Sequence, residues 1–114
     1  MSFVYFKRNE FTCTCGCGRN EIPDSFIHDL DDLRDMCRFP LVVTSGWRCE
    51  NHPKERVKVK PGQHNIAAAD VKFNDGEQLY TIMQCAFELG FTGIAAGKGF
   101  VHLDKREYAT SWVY

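Results

Sequence analysis

Gly62-Gln-His-Asn-Ile-Ala-Ala-Ala-Asp-Val-Lys-Phe73 is the stretch from which this chain is read. Ala67 to Phe73 is short, largely apolar and free of glycine and proline, the composition of a buried strand, and Gly62 to Ile66 forms its entry. His64 stands at the entry and Asp70 inside the strand. Phe100-Val-His-Leu-Asp104 reads as a second buried strand, and it carries His102. Two neutral imidazoles and one carboxylate are the ligand types that hold a catalytic zinc and leave one coordination position open. A lone buried histidine is more often a satisfied core residue. Three such groups on rigid strands shift the balance to a metal site, and the expected chemistry is zinc-dependent hydrolysis.

Outward from these strands, Pro23 opens a helix with Asp24 and Ser25 in its first turn. Ile22, Phe26, Leu30, Leu33 and Met36 form an apolar stripe at helical spacing. Asp29, Asp31, Asp32, Arg34 and Asp35 are expected on the wet face, and Arg38 to Pro40 end the helix. Leu41 to Ser45 is a short strand rich in β-branched residues. Residues 46–63 show no periodicity. Asn74-Asp-Gly76 is a turn that starts a second helix, whose buried stripe is Leu79, Ile82, Met83, Ala86 and Phe87, and Gly90 stops it. Phe91 to Ile94 and Phe100 to Asp104 read as strands joined by a hairpin turn at Gly97-Lys-Gly99. The fold class expected is α+β, a small domain with helices packed on a mainly antiparallel sheet. Residues 1–114 make one domain, with 1–20 an irregular N-terminal arm.

The chain has 114 residues, 44% of them apolar, which is enough for a real core. Its net charge of −1 argues against a general nucleic-acid binder. No apolar run approaches a membrane span, and the first ten residues lack the layout of a secretory signal. A monomer that is cytoplasmic until cell lysis is the expectation.

Six cysteines is a high number for this length. Without a secretory signal, free thiols are the default. Cys13, Cys15, Cys17 and Cys49 could form a thiolate zinc site, but their spacing is not that of paired Cys-x-x-Cys knuckles, so free or partly buried thiols are favoured. Lys54 to Lys60 is basic, and a solvated loop is its favoured reading. Phe6, Phe11, Phe26, Phe73, Phe87, Phe91 and Phe100 are expected in the core. Trp47 and Tyr108 are candidates for a cleft wall, combining apolar contact with a hydrogen bond. His52 could line the cleft, with a surface position favoured, and His28 falls on the exposed side of the first helix.

Ser45-Gly-Trp-Arg48, Cys49-Glu-Asn-His52, Gly62-Gln-His64 through Asp70, Gly90-Phe-Thr-Gly-Ile94, Phe100-Val-His-Leu-Asp104 and Trp112 occur in that order. Together they resemble the zinc D-alanyl-D-alanine peptidase family, and most of all its small phage and prophage branch. The start Glu10-Phe-Thr-Cys-Thr-Cys-Gly-Cys-Gly18 is similar to N-terminal arms of that branch. The family shares its fold with the signalling domain of hedgehog proteins, and its members cut peptidoglycan stem peptides as carboxypeptidases or endopeptidases.

The resemblance implies Zn2+ on His64, Asp70 and His102. It implies a substrate-facing Arg48, whose guanidinium could bind a terminal carboxylate or stabilise an oxyanion, beside the bland alternative of a structural ion pair. The chain departs from the family pattern in four places. The step from His64 to Asp70 is one residue shorter than usual, Ala67 replaces a glycine, and Gly62 replaces a serine. Gly99 stands where many relatives place an acidic general base. Asp104, two residues after His102 and on the same face of a strand, could take that proton-handling role or could orient a ligand imidazole. The expected activity is a phage-type peptidase whose partner is the stem peptide. The rival is a zinc-containing wall-binding or phage structural module without catalysis.

Overall fold

A computed structural model describes residues 3–58 and 62–114. The basic stretch Lys54 to Lys60 therefore ends outside the described residues, as does Pro61. In chain order the elements are α1 (Asp24–Cys37), β1 (Val43–Ser45), α2 (Pro53–Arg56), β2 (Ala68–Lys72), α3 (Gly76–Glu88), β3 (Gly93–Ala96), β4 (Phe100–Asp104) and β5 (Thr110–Val113). Single 3-10 turns lie at Arg8–Phe11 and Gln63–Asn65.

The strands form one mixed sheet in the order β1-β2-β4-β3-β5. β1–β2, β2–β4 and β3–β4 pair antiparallel, while β5 runs parallel to β3. The mainly antiparallel α+β architecture is thus as expected, with a fifth strand that pattern did not reveal. Thr110 to Val113 alternates weakly, and most of it is exposed at the sheet edge. Its strand character comes from pairing with β3 and not from its own composition.

α1 and α3 cover one face of the sheet. Ala69, Val71, Ile94, Val101 and Leu103 point into that layer and meet Phe26, Ile27, Leu30 and Leu33 of α1 and Ile82 and Ala86 of α3. Both helices begin and end as the sequence indicates. Arg38 closes α1 in the left-handed conformation at φ 62°. Asp75 caps α3 by accepting a hydrogen bond from the Gln78 N–H at 2.8 Å.

The helix faces are rotated from the expected stripes. Met36 and Phe87 lie on the open side, 38% and 58% exposed, and Cys37 and Cys85 are buried in their place. Phe73 and Phe100 are half-buried, the other core phenylalanines are buried as expected, and the strand expected at Phe91 begins at Gly93. His28 is half-buried against Phe3.

Asp31 is a further correction. It is buried, because its carboxylate accepts hydrogen bonds from the N–H groups of Val4 at 2.8 Å and Tyr5 at 3.0 Å. This carboxylate ties the N-terminal arm to α1. Asp31→Ala leaves two backbone donors without their partner and is expected to lower stability by about 1–3 kcal/mol. Urea unfolding of the variant should show a lower midpoint with an unchanged slope.

Candidate metal centre

The second face of the sheet carries the polar groups. Register places Asp70 of β2 directly opposite His102 of β4, Ser45 of β1 beside Asp70, and Ala95 of β3 beside His102. Ala95 is in turn paired with Trp112 of β5. One row across the sheet therefore reads Ser45, Asp70, His102, Ala95, Trp112. The small Ala95 lets the Trp112 ring approach the His102 ring to 5.0 Å between centroids.

His64 reaches this row from the 3-10 turn before β2. That turn is fastened to the segment after β1 from both sides. The Arg48 N–H donates to the His64 carbonyl at 2.8 Å, the Asn65 side chain donates to the Arg48 carbonyl at 2.8 Å, and the Trp47 indole donates to the Asn65 carbonyl at 3.0 Å. The short step from His64 to Asp70 is absorbed here, since the chain turns at Gln63–Asn65 before it extends.

His64, Asp70 and His102 are buried, and their donor atoms lie within 4.8 Å of one another. Asp70 Oδ1 is 3.3 Å from His64 Nε2 and 3.1 Å from His102 Nδ1. Each ring is held by its other nitrogen. His64 Nδ1 lies 2.7 Å from the Gly46 carbonyl, which can only accept, so the proton sits on Nδ1. His102 Nε2 lies 2.7 Å from Asp104 Oδ2 and donates to it. Both lone pairs then point at Asp70. Three acceptors facing one another with no donor between them require a cation or added protons. The edge of a tetrahedron with zinc–nitrogen bonds is about 3.3 Å, so the spacing fits zinc.

A proton competes with a metal ion for this face of His102. Burial alone would lower the His102 pKa, but its hydrogen bonds to Asp104 and Asp70 outweigh burial and raise it. Burial likewise acts to raise the Asp70 carboxyl, and hydrogen bonds and charge from the His102 and His64 rings, in their protonated forms, overcome it and hold the group well below the usual carboxylate range. Asp70 is therefore a permanent anion near neutral pH, ready to ligate.

Asp104 shares the site face but meets the other nitrogen of the His102 ring from the one facing Asp70. It is fully buried on the far side of the His102 ring. Arg106, which sequence reading missed, clamps it through the Arg106 backbone N–H at 3.0 Å and guanidinium contacts of 2.6–3.2 Å. Arg106 also lies over the Trp112 ring at 4.4 Å. With its oxygens engaged by His102 and Arg106, Asp104 is positioned to orient the ligand imidazole, the second of the two roles open in the sequence. Gly99 forms the exposed hairpin turn at φ 85°.

Gly93 is required by the same carboxylate. It pairs with Asp104, and a Cβ at this position would overlap the Asp104 carboxylate. Gly93→Ala is expected to lower stability by about 1–3 kcal/mol through overpacking and to weaken zinc binding by moving Asp104. Thermal unfolding and a zinc titration on the variant read the two effects separately.

Arg48 is buried beside the centre. Its guanidinium donates to Ser45 Oγ at 2.9 Å and to Glu55 at 3.4 Å and lies 3.8 Å from Asp70 Oδ2. Its Nε is buried with no hydrogen-bond partner among the described residues. Trp47 is no cleft wall. It is 2% exposed and packs beneath the loop, with Arg19 over its ring. His52 is half-buried and serves the backbone, accepting from the Lys54 N–H at 3.1 Å as the cap of α2. Tyr108 is 76% exposed and away from the row.

The family model for peptidase M15 matches residues 4–104, nearly the whole chain and every ligand of the centre. The chain belongs to the peptidase M15 family. No curated protein and no solved structure matches it. The M15 match covers the motifs from Ser45 to Asp104, and the sheet register of this M15 chain brings His102 opposite Asp70. No helix among the described residues is long and apolar enough to cross a membrane.

Proposed function

We propose that this chain is a zinc-dependent peptidase that hydrolyses peptidoglycan stem peptides, as a D-Ala-D-Ala carboxypeptidase or an endopeptidase. The observation that carries the reading is the convergence of the His64, Asp70 and His102 lone pairs, each ring fixed by its second nitrogen. Bound zinc supplies a Lewis acid and a water that ionises near neutral pH.

The protein's own groups do the rest. Arg48 holds a fixed positive charge beside Asp70, its guanidinium held in place by Ser45 and Glu55. A terminal carboxylate or the oxyanion of a scissile carbonyl is the matching group. Asp104 and Arg106 keep the His102 ring in one orientation. The resemblance of its motifs to the phage and prophage branch extends this reading to host-wall lysis, with the stem peptide as partner.

A second reading has its own support. Gly99 supplies no acid, and the Asp104 carboxylate is fully buried between His102 and Arg106. A zinc-holding wall-binding or phage structural module is consistent with both. Incubating zinc-loaded protein with stem peptides and cross-linked muropeptides, with and without chelator, separates the two by mass spectrometry. The peptidase gives a chelator-sensitive product whose mass names the bond, whereas zinc binding without any product supports the module.

A further inference from the structure

The N-terminal arm holds a second group of metal-binding type, remote in sequence from the first. Cys13, Cys15 and Cys17 follow the 3-10 turn at Arg8–Phe11, and Cys49 comes from the segment after β1. Their four sulfurs lie within 4.8 Å of one another, with Cys15 Sγ 3.5 Å from Cys13 Sγ and 3.3 Å from Cys49 Sγ. Gly16 at φ 96° and Gly18 at φ 72° let the chain curl, so that alternate cysteines converge on one point. Two backbone N–H groups already aim at sulfur, Cys49 N at 3.3 Å from Cys13 Sγ and Arg19 N at 3.4 Å from Cys17 Sγ. The edge of a tetrahedron with zinc–sulfur bonds is about 3.8 Å, close to the spacing found.

We propose that Cys13, Cys15, Cys17 and Cys49 hold a structural zinc ion, separate from the centre at His64. Binding releases the four thiol protons to solvent and forms four zinc–sulfur bonds, which closes the site to further ligands. Cys13 and Cys49 are buried, while Cys15 and Cys17 are exposed, so the ion enters from the surface. A disulfide would use two of the sulfurs and leave two thiols facing each other.

The site has a mechanical consequence. It fastens the arm to the segment 46–52, beside the bond from the Trp47 N–H to the Phe11 carbonyl at 2.9 Å. A Cβ on Gly46 would lie 2.5 Å from the Phe11 Cα, so arm and segment are in close contact there. The same segment supplies the carbonyl that fixes the His64 ring. The thiolate zinc therefore stiffens the support behind the first ligand of the other centre.

Zinc content by elemental analysis of reduced, zinc-replete full-length protein tests the proposal without reference to activity. Two ions per chain are expected for the wild type and for Cys37→Ser/Cys85→Ser. One is expected for Cys15→Ser/Cys17→Ser, whose changes fall on exposed side chains. One is also expected for His64→Ala/His102→Ala, and this variant loaded with Co2+ should show thiolate-to-cobalt charge-transfer absorption. A wild type that binds one ion and shows no such absorption with Co2+ overturns the proposal, as does an intact mass that reports disulfides among these cysteines. Two ions in Cys15→Ser/Cys17→Ser overturn it as well. A single ion in the wild type that is kept by His64→Ala/His102→Ala and lost by Cys15→Ser/Cys17→Ser supports the thiolate site and counts against the hydrolytic centre alone.

Discussion

His102→Ala is expected to empty the hydrolytic centre and to lower turnover by about a thousandfold or more. The residue supplies one of three ligand atoms, and the loss of a metal's transition-state charge stabilisation is worth several kcal/mol, each 1.4 kcal/mol being tenfold in rate. The substitution also takes away the cross-strand partner of Asp70, whose Oδ1 then faces His64 alone. Asp104 keeps its ion pair with Arg106, so no buried charge is stranded and the fold is expected to persist. Zinc content of Cys15→Ser/Cys17→Ser/His102→Ala against Cys15→Ser/Cys17→Ser reads the centre by itself, and muropeptide hydrolysis reads the chemistry. Undiminished turnover in a folded His102→Ala protein would rule out the assignment of the centre.

Asp104→Asn is expected to weaken zinc binding and turnover by about 10–100-fold, the usual consequence of changing the partner that orients a ligand histidine. The amide oxygen can still accept from His102 Nε2, but the charge that raises the imidazole's basicity is gone, and Arg106 loses its ion pair. The decisive reading is rescue. A positioning residue acts through metal affinity, so saturating zinc should restore most of kcat. A group that carried the proton in the reaction would leave zinc affinity unchanged and kcat low at any zinc concentration.

The pH sense follows from the same contacts. Burial acts to raise the Asp104 carboxyl, and hydrogen bonds from His102 and Arg106 outweigh it and hold the group well below the usual range. A depressed folded value means that its support is fully present above the unfolded pKa of about 3.9. It is lost only as pH falls from there through the folded value. As pH falls from neutrality, protonation therefore reaches His102, whose pKa is raised, before it reaches Asp104.

The trio is legible in the sequence because Asp70 and His102 each sit in a short apolar segment, where a buried polar side chain needs a partner, and His64 stands at the entry to the first of them. Helix limits are legible from Pro23, Arg38, Asp75 and Gly90, whose backbone preferences act locally. Side-chain facing is less so. Asp31 is buried by a long-range bond to the arm, and Phe87 is exposed because α3 turns Cys85 and Ala86 to the core. Such rotations of a helix about its axis depend on the partner surface, which no local window contains.

The sequence by itself determined which atoms can hold zinc, the α+β class and the ends of α1 and α3, since residue chemistry and local backbone preference suffice for these. Only the tertiary structure decided which nitrogen of each histidine faces Asp70, that Asp104 meets His102 Nε2 under the clamp of Arg106, that Trp47 is buried, and that Thr110 to Val113 is a strand. It also decided that four cysteines with unfamiliar spacing meet at one point. Each of these is set by register between distant strands or by contact between the arm and the loop, where the geometry of a pair is the cause and neither partner alone encodes it.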